Sequence, residues 1–140
     1  MTAVVIDASA GVEIVGDTRR GRALARLLPF GAEGWVPEHF FVEVIGALRR
    51  QLIVEKVINE DQARAALARL RRWHVHRASV RPLGDAAWNY RHNVAVADAV
   101  YIALAHHLSA AFLTDDHNLA NTPTLPRHVE VLTLPKAASS

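Results

Sequence analysis

Val96-Ala97-Asp98-Ala99-Val100-Tyr101-Ile102-Ala103-Leu104-Ala105-His106-His107-Leu108, followed two residues later by Ala111-Phe112-Leu113-Thr114, is the stretch that decides the fold. The first segment carries apolar or small residues nearly all round a helical projection, so it predicts a buried helix. The second is a short apolar run and reads as a strand covered on both faces. A buried helix feeding a buried strand is the unit from which a parallel sheet between helices is assembled.

The same alternation extends outward. Thr2–Ile6 is short and β-branched, predicting a buried strand that ends at Asp7 and turns into a helix near Ser9–Val15. Asp17-Thr18 caps a helix over Arg19–Leu28, Trp35-Val36 forms a short strand ended by Pro37, and Glu38–Leu52 is a helix with Phe41, Val44, Ile45, Leu48 and Leu52 on one stripe. Asn59-Glu60-Asp61 opens a further helix with acids in its first turn and arginines in its last, as the macrodipole favours. Val75–Val80 is expected as a strand and Leu83–Tyr90 as a short helix. Beyond the opening stretch, Asp116–Ala120 makes a helical turn, Asn121–Pro126 a loop and Val129–Thr133 a last strand. The fold class is therefore α/β, a parallel sheet sandwiched between helices, with no internal repeat and no linker. Lys136–Ser140 reads as a flexible C-terminal tail.

Composition narrows the function. The 140 residues are 51% hydrophobic and 21% charged, which excludes a disordered chain and supports one core. Without cysteine there is no disulfide framework, thiolate zinc site or cysteine nucleophile. The opening MTAVVID meets an acid before any secretory h-region forms, and no apolar run reaches the ~18 residues of a membrane span. A cytoplasmic protein with no membrane contact is expected. Lys56 and Lys136 are the only lysines among 16 basic residues. Arg64, Arg69, Arg71, Arg72, Arg77 and Arg81 fall in a stretch without acids, which reads as a solvated face or a phosphate-tracking surface.

The chemistry lies in acids set among apolar residues: Asp7 at a strand end, Glu43 within Phe40-Phe41-Val42-Glu43-Val44-Ile45, Asp98 on the buried helix, and Asp115-Asp116 after the strand ending at Thr114. An isolated buried carboxylate is costly, so each needs a partner, a proton or a metal. Singly, each has a structural reading: Asp7 and Asp116 as helix caps, Glu43 facing solvent, Asp98 paired with an arginine. Together they gather at the carboxyl edge of the predicted sheet, where ligands bind in open α/β folds. Two carboxylates ~5 Å apart repel by about 3 kcal/mol at an effective dielectric of 20. Oxygen-only donors select magnesium or manganese, and such an ion suits phosphodiester cleavage. His74-x-His76 lacks a third ligand for zinc, His106-His107 reads as capping the last carbonyls of its helix, and His117 stands beside the acid pair. No P-loop, GxGxxG or G-x-S-x-G is present.

Four fragments in order carry a family resemblance. Val5-Ile6-Asp7-Ala8-Ser9-Ala10, Glu43 in its helix, Ala97-Asp98-Ala99-Val100-Tyr101-Ile102-Ala103-Leu104-Ala105, and Phe112-Leu113-Thr114-Asp115-Asp116-His117-Asn118-Leu119-Ala120 resemble the PIN-domain ribonucleases, specifically the VapC-like toxins of type II toxin–antitoxin pairs. The resemblance covers nearly the whole chain. It implies a PIN-like three-layer α/β/α fold with a central parallel sheet of about five strands, with residues 1–135 as one nuclease domain and 136–140 as the tail. It also implies that Asp7, Glu43, Asp98 and Asp116 are catalytic and metal-binding, with Ser9 and Thr114 supporting them; in the Thr-x-Asp pattern Asp116 is the match and Asp115 the variable residue, able to reach the metal through water. The implied activity is magnesium-dependent endonucleolytic cleavage of RNA (manganese substituting), in a homodimer held in check by a small antitoxin. The alternatives are a non-catalytic RNA- or partner-binding module and a magnesium-dependent phosphatase. The apolar residues Val12, Ile14, Leu24, Leu27, Phe40 and Phe41 are either core or part of an antitoxin groove.

Overall fold

The structure, a computed structural model, describes residues 2–136. At its centre is β1 (Ala3–Ile6), whose Val4, Val5 and Ile6 are at most 1% exposed. Chain order continues with α1 (Ala8–Val15), α2 (Arg19–Arg26), β2 (Glu33–Pro37), α3 (His39–Arg49), a π turn at Arg50–Val54, and α4 (Glu60–Arg72). There follow β3 (His76–Ala78), a 3-10 turn at Arg81–Leu83, α5 (Gly84–Trp88), α6 (Val96–Leu108), β4 (Ala111–Leu113), α7 (His117–Ala120) and β5 (Val131–Leu132).

The sheet has five strands in the order β3-β2-β1-β4-β5, and every pairing is parallel. Val5 lies opposite Trp35 on one side and Phe112 on the other. From β1 the chain winds outward to β3, then returns and winds the other way through β4 to β5. Right-handed crossovers run in opposite directions from a centre strand cover opposite faces, which gives the three-layer α/β/α sandwich. On one side α1, α2, α3 and α4 pack on one another; α6 runs along β1, β2 and β4 with α5 beside it.

Local chemistry explains the elements. Asp7, Thr18 and Asn59 cap α1, α2 and α4 through their side chains, and Asn59 forms a reciprocal capping box with Gln62. The run Ala99–Ala105 of α6 is buried throughout, as its all-round apolar sequence requires. Gly11 is needed where α1 meets α3, since a Cβ there would sit 2.5 Å from the Phe40 ring. Gly21 lets α2 cross the end of α1; its Cβ would lie 1.9 Å from the Glu13 carbonyl oxygen.

Several boundaries are shorter than the sequence predicts. The helix expected to Leu52 leaves α geometry at Arg50 and continues as the π turn, none of whose residues is buried, so no core contact holds the α register there. The strands expected over Val75–Val80 and Val129–Thr133 shrink to the edge strands β3 and β5, each paired on one side only. Pro82 starts the expected Leu83–Tyr90 helix as a 3-10 turn. Val12, Leu24 and Phe40 are buried in the core, and Ile14, Leu27 and Phe41 are partly buried against it, so these six serve chiefly as core. Exposed large apolar side chains lie elsewhere: Val42, Ile45, Ile53, Val54, Val57 and Leu67 around α3, the π turn and α4, and separately Phe30, Trp88 and Val96. Residues 137–140 of the expected tail lie outside the described residues. Among the described residues, no helix is long and apolar enough to cross a membrane.

Candidate active site

Asp7 follows the last residue of β1, at the point where the sheet order reverses between β1 and β4. Its backbone N–H donates to the Leu113 carbonyl oxygen at 3.1 Å, which ties the two strand ends together. Asp7 is 3% exposed and both of its carboxylate oxygens are hydrogen-bonded, Oδ2 by one donor only. Oδ1 accepts from the Ser9 hydroxyl at 2.7 Å and from the Ala10 N–H at 3.0 Å, and Oδ2 accepts from the Thr114 hydroxyl. Ser9 and Thr114 also organise the far side of the edge: Ser9 Oγ accepts from the Asp115 N–H at 2.9 Å, and Thr114 Oγ1 from the Asp116 N–H at 3.0 Å. Asp7 is thus both the cap of α1 and the centre of the edge. Burial pushes its pKa up to about 6, against the lowering effect of its hydrogen bonds, with the Asp98 charge adding to the rise.

Three further acids approach from separate elements. Asp98 is half-buried in the first turn of α6, where the helix dipole favours a negative charge. Its pKa is raised by desolvation first, then by the charges of Glu43 and Asp116, with His39 opposing. Glu43 on α3 is about one-third exposed, more open than its apolar sequence neighbours imply, because Val42 and Ile45 beside it face outward. It accepts a 2.6 Å hydrogen bond from the buried Tyr101 hydroxyl, whose pKa rises through burial and this carboxylate. His39 Nε2 lies 3.4 Å from Glu43 Oε1 and 2.9 Å from the Ala97 carbonyl oxygen. Asp116 caps α7 by accepting from the Leu119 N–H at 3.1 Å. The four expected acids therefore share one edge, with Asp98 the link among them: it feels the charges of Glu43 and Asp116, and its own charge reaches Asp7. Among the described residues, no three acids or histidines already stand at ion-binding distance.

Asp115 is placed differently. Its carboxylate is taken by Arg20 on α2, whose Nε lies 2.7 Å from Oδ1 and 2.9 Å from Oδ2. Arg20 stands 95 residues away in sequence, so no local signal marks the pair. His39 was also silent in sequence, while Tyr101 stands out only as a large polar residue on an otherwise apolar helix. His117 opens α7 directly after Asp116 and stays at the edge, whereas His76, His106 and His128 are engaged elsewhere. His76 stacks on Trp35 with ring centroids 4.7 Å apart, and His106 Nδ1 meets His128 Nε2 at 2.9 Å instead of capping its own helix. In the basic stretch, Arg64 and Arg77 pair with Glu60 and Glu38, and Arg69 and Arg72 donate to carbonyl oxygens, as on a solvated face.

An all-parallel five-stranded sheet with carboxylates gathered at its switch point defines a recognisable class, and residues 4–125 match the PIN domain family. Two relatives from Mycobacterium tuberculosis are Ribonuclease VapC12, 37% identical over 85% of this chain and 91% of its own length, and Ribonuclease VapC1, 35% identical over 94% and 99%. The fold is similar to that of M. tuberculosis VapC20, described as a sarcin-ricin loop cleaving toxin, with a TM-score of 0.61 at 18% identity over 84% of this chain and 92% of that one. It is also similar to a chain of VapBC2 from Rickettsia felis bound to a promoter DNA fragment, with a TM-score of 0.63 at 9% identity over 94% and 98%. The chain belongs to the PIN-domain family, among the VapC ribonucleases.

Proposed function

We propose that this protein is a divalent-metal-dependent endoribonuclease that acts as the toxin of a toxin–antitoxin pair. The observation that carries the reading is the convergence of Asp7, Glu43, Asp98 and Asp116, from four elements, on the β1–β4 edge. The donor chemistry fits a hard cation: carboxylate and hydroxyl oxygens gather at the edge, where burial first and neighbouring carboxylate charge second raise the pKa values of Asp7 and Asp98, and a cation offsets that cost of ionisation. These four acids would hold the ion, with magnesium or manganese as the metal. Once bound, a divalent ion acidifies a coordinated water and neutralises charge on the phosphate it contacts.

The chain's own residues do the positioning. Ser9, Thr114 and the Ala10 N–H fix both oxygens of Asp7, so it enters no displacement itself. Tyr101 orients Glu43 from the buried side. The first turn of α6 steadies the charge on Asp98. The substrate is RNA, in keeping with the ribonuclease names of relatives at 35–37% identity.

A small antitoxin is the partner, as solved neighbours described as toxin–antitoxin assemblies support. An apolar helix of the antitoxin lies over the face between α3 and α4 and seats one of its side chains in the cleft of about 200 Å³ lined by Ile45, Leu48, Leu52, Ile53 and Leu67. Two copies of the chain associate as a homodimer, for which Trp88 and Val96, 58% and 50% exposed, offer an uncovered apolar surface.

Purified protein should cleave single-stranded RNA with magnesium or manganese, lose the activity in EDTA and not regain it with zinc. Cleavage that persists after exhaustive chelation would contradict the metal-dependent reading.

A further inference from the structure

Arg20 occupies an awkward position. It lies in the first turn of α2, where a cation works against the helix dipole. It is nevertheless held firmly: Nε faces both Asp115 oxygens, and Nη2 donates to the Pro135 carbonyl oxygen at 3.0 Å. Nη1 has no partner among the described residues. The side chain keeps 27% of its surface exposed, so this guanidinium is oriented but not sealed.

Its surroundings say what it is oriented towards. Arg20 opens onto a cleft of about 470 Å³ that it lines with Asp115, Asp116, His117, Asn118 and Lys136. The Nε2 atom of His117, on the same wall, is buried without a hydrogen-bond partner. On the other side of the acid edge lies a second cleft of about 590 Å³, lined by Ser9, Glu43, Arg50 and again Asp115. Each cleft pairs members of the edge with an arginine. A polyanion lying across the edge meets Arg50 in one cleft and Arg20 in the other.

We propose that the Arg20 cleft is a binding site for an RNA backbone phosphate next to the one that is cut, and that Asp115 is a positioning residue for Arg20 and not a metal ligand. A guanidinium anchored through Nε still presents N–H donors on its far side, the planar geometry that suits phosphate oxygens. Lys136 adds a second cation at the rim. The inference rests on the ribonuclease reading for its substrate, but binding tests it apart from cleavage.

The experiment is fluorescence anisotropy of a labelled single-stranded RNA in EDTA, across a salt series, with wild type, Arg20→Ala, Arg20→Lys and Asp115→Asn. Melting temperatures confirm folding, and Arg20→Lys serves if Arg20→Ala does not fold. Arg20→Ala should weaken binding about tenfold and reduce the slope of log affinity against log salt by about 0.7, the value for one phosphate contact on a single strand. A merely structural arginine would not move that slope. Arg20→Lys should keep the slope while losing part of the affinity, and Asp115→Asn should weaken binding less than Arg20→Ala does. In cleavage assays Asp115→Asn should leave the manganese concentration for half-maximal rate unchanged. RNA binding that depends on Arg20 in a wild type that fails to cleave would uphold the subsite and refute the nuclease. An unchanged salt slope in Arg20→Ala, or a tenfold shift in the manganese requirement of Asp115→Asn, would overturn the proposal.

Discussion

Burial lifts the Asp7 carboxyl to about 6 from an ordinary 3.8, so the native state holds that proton more tightly than the unfolded chain does. Stability therefore falls as pH rises through the window from about 4 to about 6, and above it the charged group costs ~3 kcal/mol, at 1.36 kcal/mol per pKa unit. Asp98 is raised too and acts in the same direction. Chemical denaturation in EDTA should show wild type losing stability across that window, and Asp7→Asn losing clearly less. Parallel pH profiles for the two proteins would show that Asp7 is not the strained group. At this scale the acids were legible because carboxylates among apolar residues demand an explanation. Whether Asp7 caps a helix or belongs to a site was not decidable from sequence; the structure shows the cap and leaves the same carboxylate at the strand edge where the site is proposed. The partners of the acids stayed hidden, because Arg20–Asp115 and Tyr101–Glu43 join residues 95 and 58 positions apart.

The long, strongly patterned elements were the legible ones. The helix α4 opens at its sequence signal because Asn59 and Gln62 form a capping box, and α6 matches its expected span because its apolar run is buried throughout. The edge strands and the π turn were misjudged where only local propensity was available and no packing supported it. The end of α6 carries a conformational cost: Ser109 caps it in the left-handed region at φ 51°, where glycine is usual. Ser109→Gly should stabilise the protein by about 0.5–1 kcal/mol, since relief of left-handed strain exceeds the entropy that glycine adds to the unfolded chain. A drop in melting temperature would show that Ser109 makes a compensating contact. On the α3–α4 face, Ile53 and Leu67 are 54% and 37% exposed, so charging them disturbs a partner more than the core. The double variant Ile53→Glu/Leu67→Glu should keep ribonuclease activity but resist inhibition by the cognate antitoxin at least tenfold. Full inhibition would move the antitoxin to another face.

For the whole molecule, the alternation of helices and short apolar strands sufficed for the fold class, and right-handed crossovers then leave few ways to order five parallel strands. What composition and periodicity could not supply is distance across the sheet. The order β3-β2-β1-β4-β5 places β1 next to β4, so the strand ends that carry Asp7 and Asp116 meet at one edge. The central claim is that this edge is one catalytic unit and not four acids with separate structural duties. The most direct measurement is the rate of single-stranded RNA cleavage by wild type and Asp98→Asn, each shown folded by circular dichroism, in the same manganese buffer. Asp98 makes no side-chain hydrogen bond among the described residues that the fold would miss, so its loss tests function alone. Cleavage should fall at least 100-fold in Asp98→Asn, with melting temperature held or raised as carboxylate repulsion is relieved. A rate within about threefold of wild type would contradict the account.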